Sequence, residues 1–336
     1  MTFVGDVMFG RWIEGGLDPI DFKGVDVFGR MHDLLAADLT VANLETPLLR
    51  EMPETSPYGT RLRFAAPPEV VDVLLRAGIT VVSLANNHSF DMRMTGLLQT
   101  PKILAERGVK AIGVSRREEP LFRVESVDVE GWKLGFLAAT TERNGPQRKN
   151  APELPHTALN QLTDRLVPVI RAARPDHDLI IAVLHWGVEN QDRPSSRQIK
   201  AAHALIDAGA DTIIGHHPHV LQAIERYGKG LIAYSLGNFL FDNTTPNQQL
   251  TGVLRLRYRA DGRCLDRAVL HPAYVHGYPT HHPRPATSWM RRKVSQRIIP
   301  LSQEKPFHTR WQAEGRDLVL AAPACKARSS PVGGES

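Results

Sequence analysis

Two stretches decide how this chain reads, RAGITVVSLANNH at residues 76–88 and DAGADTIIGHHPH at residues 207–219. Each begins at the end of a helical pattern, stops at an Ala-Gly pair and runs on through a β-branched strand. Each then ends in amide and imidazole side chains. Ahead of the first, Pro67-Pro68 opens a helix whose Val70, Val71, Leu74 and Leu75 share one face, and a strand over 79–84 follows the stop at Gly78. Ahead of the second, the pattern predicts a helix over about 196–208, a stop at Gly209 and a strand over 212–214. Helix and strand phrases that alternate in this way build βαβ units and a mainly parallel sheet. Ligands of open α/β sheets gather at the carboxyl ends of the strands, so both polar clusters are expected to reach one site.

Outward from these phrases, residues 179–184 read as a further strand. Residues 252–258 and 264–270 form a hairpin around an Asp261-Gly262 turn, and 122–129 and 133–138 form another around Glu130-Gly131. The hairpins suggest a second, more antiparallel sheet, hence an α/β layered sandwich with helices outside. The polar connection over 144–155 reads as an active-site loop. From Pro283 onward the periodicity weakens. The expected organisation is a catalytic domain over 1–283, a basic C-terminal extension over 284–325 and a disordered tail over 326–336.

Composition bounds the function. The 336 residues are 42% hydrophobic and 23% charged, ordinary for a globular chain with a full core. The two cysteines, Cys264 and Cys325, lack metal-type spacing and allow at most one disulfide, which excludes a disulfide scaffold. No run approaches the roughly 18 apolar residues of a membrane span, so no transmembrane segment is expected. No basic-then-apolar leader precedes Gly5-Asp6, and the expected location is the cytoplasm. Only about three strand residues precede Asp6, against a usual five or six, which leaves room for an upstream start carrying an export signal. The net charge is +5, and between Arg284 and Arg328 ten Lys/Arg face three acidic residues. Such an excess suits an acidic substrate or is a solvated tail. Without a helix-turn-helix pattern or an aromatic-interleaved groove, nucleic acid is not expected. Oligomeric state is not legible.

Six segments share one design, an apolar run followed by residues suited to metal. They are TFVGDVMFGR with Asp6, TVANLETPL with Asn43 and Glu45, and VVSLANNHSFD with Asn86, Asn87, His88 and Asp91. IIAVLHWGVEN follows with His185 and Glu189, then TIIGHHPHV with His216, His217 and His219, and IAYSLGNFLFD with Ser235, Asn238 and Asp242. Taken singly, Gly5-Asp6 reads as a turn. Three histidines in four positions at a strand end, however, seldom serve packing. Imidazole and carboxylate suit Mn, Zn, Fe or Co. Two carboxylates (Asp6, Glu45), one amide oxygen (Asn87) and three imidazoles (His185, His217, His219) suffice for two divalent ions roughly 3.5–4 Å apart.

In this order, GDVMFGR, NLE, ANNHSFD, HWG, HPH and SLGNFLF resemble the CapA family of poly-γ-glutamate capsule-synthesis proteins, a branch of the calcineurin-like metallophosphoesterases. The likeness runs over about 2–272. It implies a four-layer α/β/β/α sandwich of the metallo-dependent phosphatase type. It also implies that Asp6 and His219 bind a first metal, that Glu45 bridges, and that Asn87, His185 and His217 complete a second. His88, held by Asp91, would face the substrate as acid or base. Asn43, Asn86, His216 and Asn238 would be substrate or supporting contacts. One position departs from the wider superfamily, which usually carries histidine two residues after the first aspartate. Here it is Met8, a poor ligand for a hard ion, so the first site is expected to be weaker or the centre mononuclear. His271, His276, His281 and His282 have no spacing that would fix two imidazoles on one ion.

The ligand set and the resemblance leave three roles open, two of them reactions. The first is hydrolysis or transfer on a peptide or poly-γ-glutamate-like acidic polymer, with His88 as acid or base. The second is Cα-epimerisation of a ribosomal lasso-type peptide by a cytoplasmic tailoring enzyme, with Trp289 and Trp311 of the Arg-rich tail gripping the peptide. The third is a non-catalytic accessory role, against which the near-complete ligand set speaks.

Overall fold

A computed structural model describes residues 1–321, apart from 14–15, 56–62, 117, 145–152, 243–244, 261–263 and 278–279. The Asp261-Gly262 turn, Cys325, the tail over 326–336 and most of the loop over 144–155 lie outside the described residues.

Among the described residues the larger sheet has ten strands. Its order runs Gln312–Glu314, Asp317–Ala321, Cys264–Val275, Leu250–Arg259, Thr2–Val7, Thr40–Leu44, Ile79–Ser83, Lys110–Ile112. Asn238–Leu240 also pairs with Thr2–Val7, and Pro283–Pro285 with Cys264–Val275. Thr2–Val7 through Lys110–Ile112 are parallel, whereas Leu250–Arg259 joins Thr2–Val7 antiparallel. The six-stranded sheet runs Ile224–Tyr227, Gly230–Ala233, Thr212–His216, Leu179–His185, Trp132–Thr140, Glu125–Val129, with a parallel centre and antiparallel edges.

Strand period explains the layering, because alternate side chains point to opposite faces and here both faces are apolar. Phe3, Val41 and Val81 point inward and meet Phe136, Ile181, Val183 and Ile214 of the other sheet. Their neighbours Val4, Ala42 and Val82 point outward against Val70, Val71 and Leu74 of the helix Val70–Arg76 and Ile103 and Leu104 of Arg93–Glu106. On the far side Leu137, Ile180, Ala182 and Ile213 meet Leu162, Leu166 and Ile170 of the helix Leu162–Ala173, with Ala202 and Leu205 of Ser196–Asp207. The result is an α/β/β/α sandwich. Each fully buried Val, Leu, Ile or Phe in it contributes about 1.5–3 kcal/mol.

The two Ala-Gly stops form as expected, with Gly78 at φ +75° and Gly209 at φ +119° ending their helices. Ser195 and Gln198 close a capping box on the helix Ser196–Asp207. One expectation is corrected: the two hairpins do not share a second, antiparallel sheet. Leu250–Arg259 with Cys264–Val275 extends the larger sheet, and Glu125–Val129 with Trp132–Thr140 edges the smaller. Hairpin pairing is local and says nothing about which sheet edge receives it.

From Pro283 to Ala321 the chain keeps regular structure. The helix Ser288–Gln303, capped by Thr287, sends Val294 and Ile298 into the inter-sheet core beside Trp311, Leu318 and Leu320. Its apolar contacts are sparse, which is why the periodicity is weak. Trp311 is buried and donates its Nε1–H to the Ile224 carbonyl, so it cannot grip a peptide; Trp289 is 60% exposed with Lys293 over its ring. Among the described residues no helix is long and apolar enough to cross a membrane.

Candidate metal centre

The site lies where the carboxyl ends of both sets of parallel strands meet. Asp6 is the fifth residue of Thr2–Val7 and pairs in register with Asn43 on one side and Asn238 on the other. Gly5 permits that closeness, since a Cβ there would sit 1.9 Å from the Gly237 carbonyl oxygen. In the smaller sheet His185 and His216 are register partners, and a Cβ on Gly215 would sit 2.0 Å from the Tyr234 carbonyl oxygen. Past the strand end the backbone folds back through His217 (φ +96°) and His219 (φ +58°). Such left-handed non-glycine conformations cost on the order of 1–3 kcal/mol each and persist where the surroundings impose them.

Asp6 is fully buried. Its Oδ1 accepts from Asn43 Nδ2 at 2.8 Å and lies 3.0 Å from His216 Nδ1. Its Oδ2 accepts from the His217 backbone at 3.3 Å and lies 3.4 Å from His219 Nδ1. Burial alone would raise its pKa, but the contacts with His216 and His219 outweigh it and hold the carboxyl well below the usual range. Burial would likewise lower His219, but Asp6 and Glu45 push it up to about 10. His219 Nδ1 also lies 2.8 Å from Asn238 Oδ1.

Glu45 is the opposite case. Both of its carboxylate oxygens are buried without a hydrogen-bond partner, and burial, with Asp6 nearby, drives its pKa well above normal. His185 Nε2 is 3.6 Å and His88 Nε2 3.9 Å from Glu45 Oε1. Burial and the neighbouring His217 hold His185 well below its ordinary value, and burial with His219 lowers His217 to about 3, so both rings are neutral. His185 Nε2 meets Asn87 Oδ1 at 2.7 Å, and its Nδ1 lies 3.3 Å from Asn43 Nδ2.

These donors fall into two groups that share one carboxylate. Glu45, His185 and His217 bring ligand atoms within 4.8 Å of one another, and so do Asp6, Glu45 and His219. Neutral imidazoles and an unpaired buried carboxylate are the forms that bind divalent cations. An uncompensated buried carboxylate is costly, by several kcal/mol, until a cation or proton satisfies it. The donor set therefore fits a divalent metal ion.

His88 faces Glu45 from the loop after Ile79–Ser83. Its Nδ1 lies 2.7 Å from Asp91 Oδ2, and its ring stacks on Phe64 at 3.7 Å between centroids. Asp91 also accepts from the Phe64 backbone N–H at 2.8 Å and from Arg63 Nη1 at 3.2 Å.

All six expected ligands and His88 thus converge. Asn43, Asn86, His216 and Asn238, expected as substrate or supporting contacts, are all buried beside these side chains. Asn86 Nδ2 donates to Asn43 Oδ1 and the Leu44 carbonyl, while its Oδ1 accepts from the His88 backbone and Ser89. These amides orient Asp6, His185, His219 and the His88 loop. Met8 turns into the helix-side core. His271 pairs with Asp317, and none of His271, His276, His281 and His282 belongs to a ligand group. Asn144, the first residue of the expected active-site loop, accepts from Asn87 Nδ2 at 2.8 Å through its Oδ1, whereas Phe64 sits in no ligand-type segment.

The family model described as "Bacterial capsule synthesis protein PGA_cap" matches residues 1–243. The chain is 32% identical over 278 residues to "Capsule biosynthesis protein CapA" of Bacillus anthracis, covering 79% of this chain and 65% of that one. It is 30% identical over 324 residues to "PGA biosynthesis protein CapA" of Bacillus subtilis (strain 168), covering 95% and 81%. Among solved structures, the calcineurin-like phosphoesterase YfkN from Bacillus subtilis aligns with a TM-score of 0.40 at 16% identity, over 77% of this chain and 86% of that one.

Proposed function

Because the chain belongs to the CapA family of bacterial capsule synthesis proteins, we propose that it is a metal-dependent hydrolase or transferase acting on an acidic, γ-linked peptide polymer. The observation that carries this reading is Glu45, a fully buried carboxylate with two unpaired oxygens, shared by two ligand groups and faced by His88. Asp6, Glu45 and His219 would hold one ion, and Glu45, Asn87, His185 and His217 the other, the metals being of the Mn, Zn, Fe or Co type. When bound, such ions supply Lewis-acid polarisation of a carbonyl or phosphoryl oxygen.

The chain's own residues do the proton work. Asp91, fixed by Arg63 and the Phe64 backbone, accepts from His88 Nδ1–H and so turns Nε2 toward the centre. From there His88 gives a proton to the leaving nitrogen or oxygen. Phe64 covers one face of the ring and keeps it oriented. The net charge of +5 suits a polyanionic chain.

The test is incubation of manganese-loaded protein with poly-γ-glutamate oligomers in D2O, read by mass spectrometry. Shortened or transferred chains that vanish in His88→Ala support the reading. An intact oligomer that gains about one mass unit per exchanged α-proton would replace it with epimerisation. No change at all, with metal bound, would leave an accessory role.

A further inference from the structure

We propose that Glu189 is a further ligand of this centre, entering from the loop after Leu179–His185 to complete the ion on the Asp6 side; the inference rests on the metal-centre reading above. The two ion positions are unequally furnished. Glu45, Asn87, His185 and His217 gather at one, but only Asp6, Glu45 and His219 at the other. Met8 is the residue that could have filled the difference from Thr2–Val7, and it lies in the helix-side core, carrying a thioether unsuited to a hard ion. The missing donor comes from the opposite sheet. The Glu189 carboxylate, His217 and His219 bring ligand atoms within 4.8 Å of one another.

Several contacts hold this loop in place. The Asn190 N–H donates to the carbonyl of Pro218, the residue between the two histidines, at 2.9 Å. Gln248 Nε2 donates to Asn190 Oδ1 at 3.0 Å, and Gln222 Nε2 to the Gln191 carbonyl at 2.8 Å. Arg297, from the helix Ser288–Gln303, bonds Asp192 at 2.6 Å. At the loop's start Gly187 adopts φ +98°, where a Cβ would press on Gln198 at 2.6 Å. Glu189 is thus carried on a segment tied to the histidine turn through Asn190 and Pro218 and braced beyond it by Gln222, Gln248 and Arg297. Charge agrees: with Asp6 and Glu45 alone, two divalent ions leave two excess positive charges, and a third carboxylate leaves one.

The decisive experiment is manganese binding to the full chain, stripped and reloaded, by calorimetry and electron paramagnetic resonance. Glu189 is exposed, so Glu189→Gln should fold, and circular dichroism checks that it does. Expected is a wild type with two manganese ions and their spin coupling. In Glu189→Gln one ion weakens by more than the ~10–100-fold that loss of an outer-shell partner brings, the coupling is lost, and Glu189→Asp restores part of it. Wild-type affinity and coupling in Glu189→Gln overturn the proposal while leaving the centre intact. A wild type that binds no manganese overturns the centre, and this proposal with it.

Discussion

Glu45 Oε1 and His88 Nε2 face each other at 3.9 Å in the interior, and neither oxygen of the carboxylate has a hydrogen-bond partner. The relationship joins two elements of the larger sheet, the ends of Thr40–Leu44 and Ile79–Ser83. It places a carboxyl group whose ionisation is opposed by burial beside a ring already anchored at its other nitrogen by Asp91. A charge so held destabilises the fold until it is neutralised, which makes the site's occupancy measurable through stability.

Glu45→Gln separates the two ways of neutralising it. In EDTA at pH 7–8 the variant should melt above the wild type, because it removes a carboxyl whose burial opposes ionisation. Manganese at about a hundred times its Kd should stabilise the wild type by about 2.7 kcal/mol and the variant little. Thermal melts with and without metal read both effects, and an equal manganese shift in both proteins would refute the bridging position.

His219 sets a pH window. Its folded value is raised to about 10 from an ordinary ~6.5. In the metal-free protein its contribution is therefore complete below pH ~6.5 and is lost as pH rises through about 10. Urea titrations of metal-free wild type and His219→Gln should show stabilities that converge across that range. Manganese, which needs the neutral ring, should bind more tightly as pH rises over the same interval and release protons as it binds. A pH-independent affinity would contradict this.

His88→Ala should lower turnover on the acidic peptide by about 10²–10⁴-fold and leave metal content unchanged. Asp91→Asn should also lower turnover with metal content unchanged, since it removes the carboxylate that holds His88 Nδ1. Elemental analysis alongside the assay distinguishes loss of proton transfer from loss of metal.

Gly215→Ala tests the packing under the histidine turn. A Cβ would meet the Tyr234 carbonyl oxygen at 2.0 Å, and backbone must move to admit it. A loss of about 1–3 kcal/mol or more is expected in urea denaturation, with a weaker metal site, because His216 and His217 shift with the strand.

Much of the architecture was legible because periodicity and turn chemistry are local. The Ala-Gly stops at Gly78 and Gly209, the strand cores and the polar residues just beyond them could be read one segment at a time. Glu189 is close to His185 in sequence, but its approach to His217 and His219 depends on a loop tied to Pro218. Phe64 offered no signal, because its contact with His88 depends on a loop crossing between distant parts of the chain.

By itself, then, the sequence determined the layered α/β plan and the donor types at each strand end, since short-range sterics and side-chain period act within a few residues. Only the tertiary structure decided that the hairpins join different sheets, that Met8 turns inward and that Asn86 meets Asn43 and His216 meets Asp6. It alone set Asp6 ionised beside His219 and left Glu45 unpaired. Those outcomes depend on burial and on distances between residues far apart in the chain, and charge in a low-dielectric interior is governed by both.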